Sequence, residues 1–242
     1  MTLDNIFGRR FLYVCMIVYI ILGFATLTVD AKLAGMLFRE DKYFEVVGAI
    51  SFFIASLFFF LAFRRSSGLK EIWLKRLILL GMAFLFLFAG GEEISWGQRI
   101  FDIQEPAKLA EINKQGELNV HNIEISGISI PFERLFDIFW LIFTVLVPFA
   151  CLLNHPIGQF TGKYIPIPHW GVGLLFILNY GWAKVAKAIY VTTYSYGVIP
   201  FVQAVQEIKE SNYALLFAFV ALYVFLQGRS LAEKVSPDTS VR

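Results

Sequence analysis

Charge is scarce in this chain: Asp, Glu, Lys and Arg make up 17% of its 242 residues, against 57% hydrophobic. A soluble domain carries about a quarter charged residues and sets its apolar ones in periodic stripes. The 21 cations and 19 anions leave a net charge of +2 from scattered positions, so nucleic-acid binding has no support. Only two cysteines occur, Cys15 and Cys151, both inside apolar runs, which argues against a disulfide framework or a cysteine metal cluster. The three histidines form no His-Glu-x-x-His pair, so the zincin signature is missing. Gly/Ser linkers and low-complexity tracts are also absent, and no separate soluble domain fits.

What the chain has instead is long apolar blocks, 26 Phe and a mean hydropathy of +0.64. These imply an all-α polytopic membrane helix bundle, a single integral membrane domain over 1–242 with a short disordered tail from about 230. Six spans fit, at about 11–29, 45–63, 75–96, 135–153, 170–190 and 211–227. The first follows Arg9-Arg10 but is too long for a signal core and lacks a cleavage site, so it reads as a retained helix. Five cations between Arg64 and Arg76 mark that loop as cytoplasmic. Alternation then puts both termini inside and the 97–134 segment outside, with 11 Lys plus Arg inside against 8 outside.

The third span carries the most information. Its apolar run from Leu77 to Gly91 is 15 residues, whereas a bilayer core needs about 20. Continuing the helix through Glu92 and Glu93 to Trp96 makes up the length and places two carboxylates in a leaflet, where ionisable groups are costly and usually functional. A competing geometry starts the span at Trp73, with Lys75 and Arg76 snorkelling and the glutamates in water. Span five poses the same problem: Trp170 to Ala183 is too short, and crossing requires Lys184 and Lys187. Both pairs fall at matching depth, which implies a shared polar pocket; structural ion pairs or snorkelling lysines are the plain alternative.

In the outer segment, Pro106 can open a short helix that Gly116 closes. Beyond it, Glu117, Asn119 and His121 share one face of a strand, and Glu117 and His121 share one face of a helix. Residues Ile123 to Ile130 read as an amphipathic surface or re-entrant piece. Three chemical uses of the cluster compete. Glu92, Glu93, His121 and Glu117 can bind a divalent metal, such as zinc, manganese or iron, that activates water. One glutamate can act as general base beside a cation that holds an anion. The charges can also relay protons or bind an ion in transport.

The run Gly91-Glu-Glu-Ile-Ser-Trp-Gly-Gln-Arg99, followed by Pro106 and Gln115-Gly-Glu-Leu-Asn-Val-His-Asn122, resembles an uncharacterised family of bacterial multi-pass membrane proteins. The resemblance covers about 91–122 and implies a bacterial inner (plasma) membrane protein, with no established activity. Glu92-Glu93-Ile-Ser-Trp96 also begins like the first motif of the CAAX-type intramembrane proteases. Gly97 stands where that motif has Arg, and the later Phe-x-x-x-His and His-x-x-x-Asn motifs are missing.

The expectation is a membrane-embedded hydrolase or transferase acting on a lipid or lipid-linked substrate at the outer leaflet. Glu92, Glu93, His121 and Glu117 are its candidate catalytic or metal-binding groups. Arg99, Gln98, Asn119, Asn122, Lys184, Lys187 and Trp96 are its candidate substrate contacts. An ion-coupled transporter and a non-enzymatic envelope scaffold are the alternatives.

Overall fold

The computed structural model describes residues 6–38, 42–66, 73–98, 100–106, 113, 118–120, 124–125, 128–129, 131–190 and 201–235. The chain is an all-α polytopic membrane bundle. Its helices are α1 (Ile6–Ala25), α2 (Ala31–Leu37), α3 (Tyr43–Arg65), α4 (Trp73–Glu93), α5 (Phe132–Leu153), α6 (His155–Tyr164), α7 (Trp170–Tyr190) and α8 (Phe201–Val235). Five of them, α1, α3, α4, α5 and α8, contain stretches long and apolar enough to cross a membrane. Helix α7 matches them in length at 21 residues, but Asn179, Lys184 and Lys187 dilute its apolar content. A helix suits this solvent because it satisfies its backbone groups internally.

Helix α8 is the central post. Its spanning window is 72% buried inside the protein, against 17% for α1, so the others pack around it. It runs from Phe201 to Val235, well beyond the 211–227 that hydropathy marks. Apolar character alone hides its first turns, because Gln206, Glu207, Lys209 and Glu210 lie in them. The core is a ladder of phenylalanines. Phe86 of α4 lies 4.7 Å from Phe217 of α8 and 5.6 Å from Phe59 of α3, and Phe217 meets Phe176 of α7 at 4.9 Å. The outward faces of α3, α4 and α5 present Ile50, Leu57, Phe84, Ile142 and Phe149, as lipid-facing surfaces do.

Helix α4 corrects an expectation. It gains its length at the start, from Trp73 through Arg76, and it ends at Glu93 rather than continuing to Trp96. Lys75 reaches a backbone oxygen of α6, Gly162 O, at 2.9 Å, and the Arg76 guanidinium lies 5.2 Å from the Phe63 ring. Snorkelling thus accounts for the basic end. The glutamates are nevertheless not left in water: Glu92 is 8% exposed and Glu93 is partly buried.

Helix α5 widens into a π turn over Leu141–Leu146. Pro148 has no N–H to offer the Thr144 carbonyl, which is the usual cause of such a defect. Gly173 of α7 fills the place: a Cβ there would stand 2.3 Å from Thr144 O. Just before α5, Ile123 to Ile130 is not helical in its described part. Glu124–Ile125 pairs antiparallel with Ile128–Ser129 in a two-residue ladder. The helix expected between Pro106 and Gly116 lies almost wholly outside the described residues.

Candidate functional site

Antiparallel alternation brings the end of α4, the starts of α3, α5 and α8, and the last turns of α7 to one end of the bundle. The polar side chains of the spans gather there in two groups, linked through α8.

The first group is built on the motif after α4. Once the helix ends, Ser95 and Trp96 take left-handed backbone angles, with φ of 47° and 52°, and Gly97 follows at 79°. Such angles suit glycine and cost energy in other residues, so the turn persists only because its surroundings hold it. Two contacts do so. The Trp96 indole folds back over Gly91, where an added Cβ would come within 2.8 Å of the ring. Its Nε1 donates to Glu92 Oε1 at 2.6 Å. The other carboxylate oxygen of Glu92 accepts from the backbone N–H of Val120 at 2.8 Å. Gln98 Oε1 accepts from the backbone N–H of Leu118 at 2.6 Å. Residues 118–120 therefore fold back onto the end of α4, with Asn119 buried at 4% exposure. Glu92 is a pin whose two oxygens satisfy two donors, which a buried carboxylate requires.

Glu93 points the other way, into the bundle. Its Oε2 lies 3.8 Å from where a Cβ on Gly48 of α3 would stand, beside the Ser211 backbone of α8. Glu210, Glu207, Glu45 and Glu92 are within electrostatic range of it. No hydrogen bond to its carboxylate occurs among the described residues. Below it, Tyr19 of α1 and Ser211 approach at 3.4 Å. Asn212 Nδ2 donates to Asn179 Oδ1 at 2.8 Å, and Asn179 Nδ2 donates to Lys209 O at 3.0 Å.

The second group lies between α5, α7 and α8. Lys209 Nζ donates to Glu133 Oε1 at 2.6 Å, and Lys187 Nζ to Gln206 Oε1 at 2.8 Å. The Gln206 amide in turn reaches Glu133 at 3.0 Å and also Glu210. Lys184 stands 5.1 Å from the Tyr180 ring, and Asp137 accepts from Trp140 Nε1 at 2.9 Å. A small cleft of about 30 Å³ opens among Glu133, Asp137, Tyr180, Lys184, Lys187 and Lys209.

The sequence expectations divide accordingly. Glu92, Trp96, Gln98 and Asn119 come together around the strained turn. Lys184 and Lys187 come together in the cleft, but neither Glu92 nor Glu93 lines it. Their carboxylate neighbours are Glu133 and Asp137 at the start of α5; hydropathy leaves Glu133 just outside the fourth span and Asp137 just inside it, and sequence reading singles out neither. Arg99, Glu117, His121 and Asn122 lie outside the described residues. Among the described residues no three His, Cys, Asp or Glu side chains converge as a metal site, and of the four metal candidates only Glu92 and Glu93 are described. Sequence reading missed Lys209, Gln206 and Tyr213; the charged run Gln206 to Glu210 before an apolar block was the available signal. His155 and His169 sit at the opposite end, where His169 Nδ1 meets Tyr13 Oη at 2.8 Å. Comparison with protein-family models, with curated proteins and with solved structures finds no match.

Proposed function

We propose that this multi-pass membrane protein is an enzyme of hydrolase or transferase type, acting on a lipid or lipid-linked substrate at the outer leaflet, with Glu93 as its acid–base group. One observation carries the reading: the division of labour within the glutamate pair. Glu92 has both oxygens engaged, one by the Trp96 indole and one by the Val120 N–H, whereas Glu93 has none engaged among the described residues and faces the bundle interior. A carboxylate kept free of hydrogen bonds in a dry setting is suited to taking a proton from an attacking water or hydroxyl. Its place at the end of a span lets an amphiphile arrive laterally from the leaflet. Glu117 and His121, each two residues from Asn119 in the sequence, are the proposed partners in that chemistry.

The test compares Glu93→Gln with Glu92→Gln in cells lacking the native copy. Glu93→Gln should accumulate normally in the membrane yet fail to restore the lipid and glycolipid profile that deletion alters. Glu92→Gln should lose folded protein first. If Glu93→Gln restores the profile fully, the enzymatic reading falls.

A second reading, a proton-coupled carrier, draws on the polar contacts beneath Glu93. Tyr19 with Ser211, and Asn212 with Asn179, extend the polar cluster inward along α8. Proton flux in proteoliposomes that disappears in Glu93→Gln would favour it over catalysis.

A further inference from the structure

We propose that the cleft between α5, α7 and α8 is a phosphate-binding subsite, in which Lys184, Lys187 and the Tyr213 hydroxyl receive the oxygens of an anionic headgroup. This rests on the lipid-substrate reading above and names the group by which such a substrate is held.

The first argument is the pairing of charges. Three ammonium groups and two carboxylates line the cleft, leaving one cation in excess. Lys209 is matched, since its Nζ is 2.6 Å from Glu133. Lys187 bonds only a neutral amide oxygen, and Lys184 only a ring face. Neither has an ion-pair partner among the described residues. The two carboxylates are committed elsewhere: Glu133 to Lys209 and Gln206, and Asp137 to the Trp140 indole. Cations near the end of a helix complement its dipole, which gives Lys187 a structural reason to be there. That reason does not extend to gathering three ammonium groups around one space, since like charges repel unless an anion sits between them.

The second argument is independent of the lysines. Tyr213 is 1% exposed, and its hydroxyl is buried without a hydrogen-bond partner. Its ring is clamped by Trp140 and Phe176, each 5.5 Å away. The hydroxyl is within electrostatic range of Asp137, Tyr180, Glu210 and Glu133, three of which line the cleft. Tyr213 does not itself line the cleft, but a buried hydroxyl left unpaired costs free energy, so an acceptor reaching it from the cleft removes a standing penalty. Cations lining the cleft and a neutral donor buried beside it suit an anionic oxygen.

Size and surroundings select the ligand class. About 30 Å³ admits a few oxygen atoms and not a whole headgroup, so the bulk of the ligand remains outside. Outside, the faces of α5 and α7 expose Leu135, Ile138, Trp182 and Val185, on which acyl chains can lie.

Binding to the full-length protein in detergent is measured by native mass spectrometry with phosphatidylglycerol, with diacylglycerol, and by thermal shift with inorganic phosphate. Phosphatidylglycerol should bind well above diacylglycerol. Loss of charge-assisted bonds in Lys184→Gln with Lys187→Gln should weaken it about tenfold or more. Tyr213→Phe should weaken it about threefold or more. Lys163→Gln, at the other end of the bundle, should leave it unchanged. A thermal shift by inorganic phosphate that the same variants abolish, with no lipid preference, would keep the site and make its ligand a soluble phosphate. Equal phosphatidylglycerol binding in wild type, the double lysine variant and Tyr213→Phe would overturn the proposal. Glu93→Gln should retain this binding, so the subsite and the proposed catalysis fail separately.

Discussion

At the scale of single residues, the motif works by steric permission as much as by charge. Gly91 has no side chain because the Trp96 indole occupies that space, and the indole is there because Glu92 accepts its N–H. Gly91→Ala should therefore eject Trp96 and cost about 1–3 kcal/mol, as overpacking does. The check is the thermal midpoint in detergent, together with a change in protease sensitivity of the 118–120 segment. Trp96→Phe keeps the ring and loses the bond, so it should cost about 1.5–3 kcal/mol, the range for a hydrogen bond to a charged group. Equal stability of Trp96→Phe and wild type would show that the left-handed turn is held by something else. The Glu-Glu pair was legible in the sequence as costly and therefore meaningful. Which glutamate does what was not, because adjacent helical residues differ by about 100° of rotation. That rotation means nothing until the neighbours are placed.

At the scale of elements, length and hydropathy located the spans but erred at their ends. Helix α4 begins at Trp73 because two cations can reach interfacial acceptors on long stems. Helix α8 begins at Phe201 because its polar turns find partners on other helices: Lys209 pairs with Glu133 on α5, and Gln206 accepts from Lys187 on α7. A sliding average treats such residues as loop, since it cannot see a partner on another helix. The π turn in α5 is a second case, announced by Pro148 but completed only by Gly173. Gly173→Ala should drive a methyl group into Thr144 O and either separate α5 from α7 or remove the π turn, at a cost of about 1–3 kcal/mol. Thermal stability reads the cost, and a disulfide between cysteines introduced on the two helices reads the separation. Full stability with unchanged cross-linking would contradict this packing.

For the molecule as a whole, the charges sort to two ends. One carries Arg10, Arg64, Arg65, Lys75, Arg76 and Lys163; the other carries Glu45, Glu92, Glu93, Glu133, Asp137 and the lysine cleft. The proposed function puts the motif turn outside, the orientation that the positive-inside rule predicts. Asp102→Cys should react with an impermeant maleimide in intact cells, and Lys163→Cys only after permeabilisation. The reverse pattern would move the proposed substrate site to the inner leaflet. Midway down α8, Asn179 and Asn212 join α7 to the central post. Asn212→Leu should cost about 1–2 kcal/mol, the upper range for hydrogen bonds within membranes, in the thermal midpoint.

By itself the sequence determined the class of this protein, its approximate spans and the unusual placing of Glu92, Glu93, Lys184 and Lys187. These follow from transfer free energy, which is a property of each residue in its own stretch of chain. Only the tertiary structure decided that Glu92 pins the 118–120 segment, that Glu93 faces α3 and α8, and that the α7 lysines share a cleft with Glu133, Asp137 and Lys209 rather than with the glutamate pair. Those outcomes depend on helix rotation and on which helices are neighbours, and packing around α8 sets both.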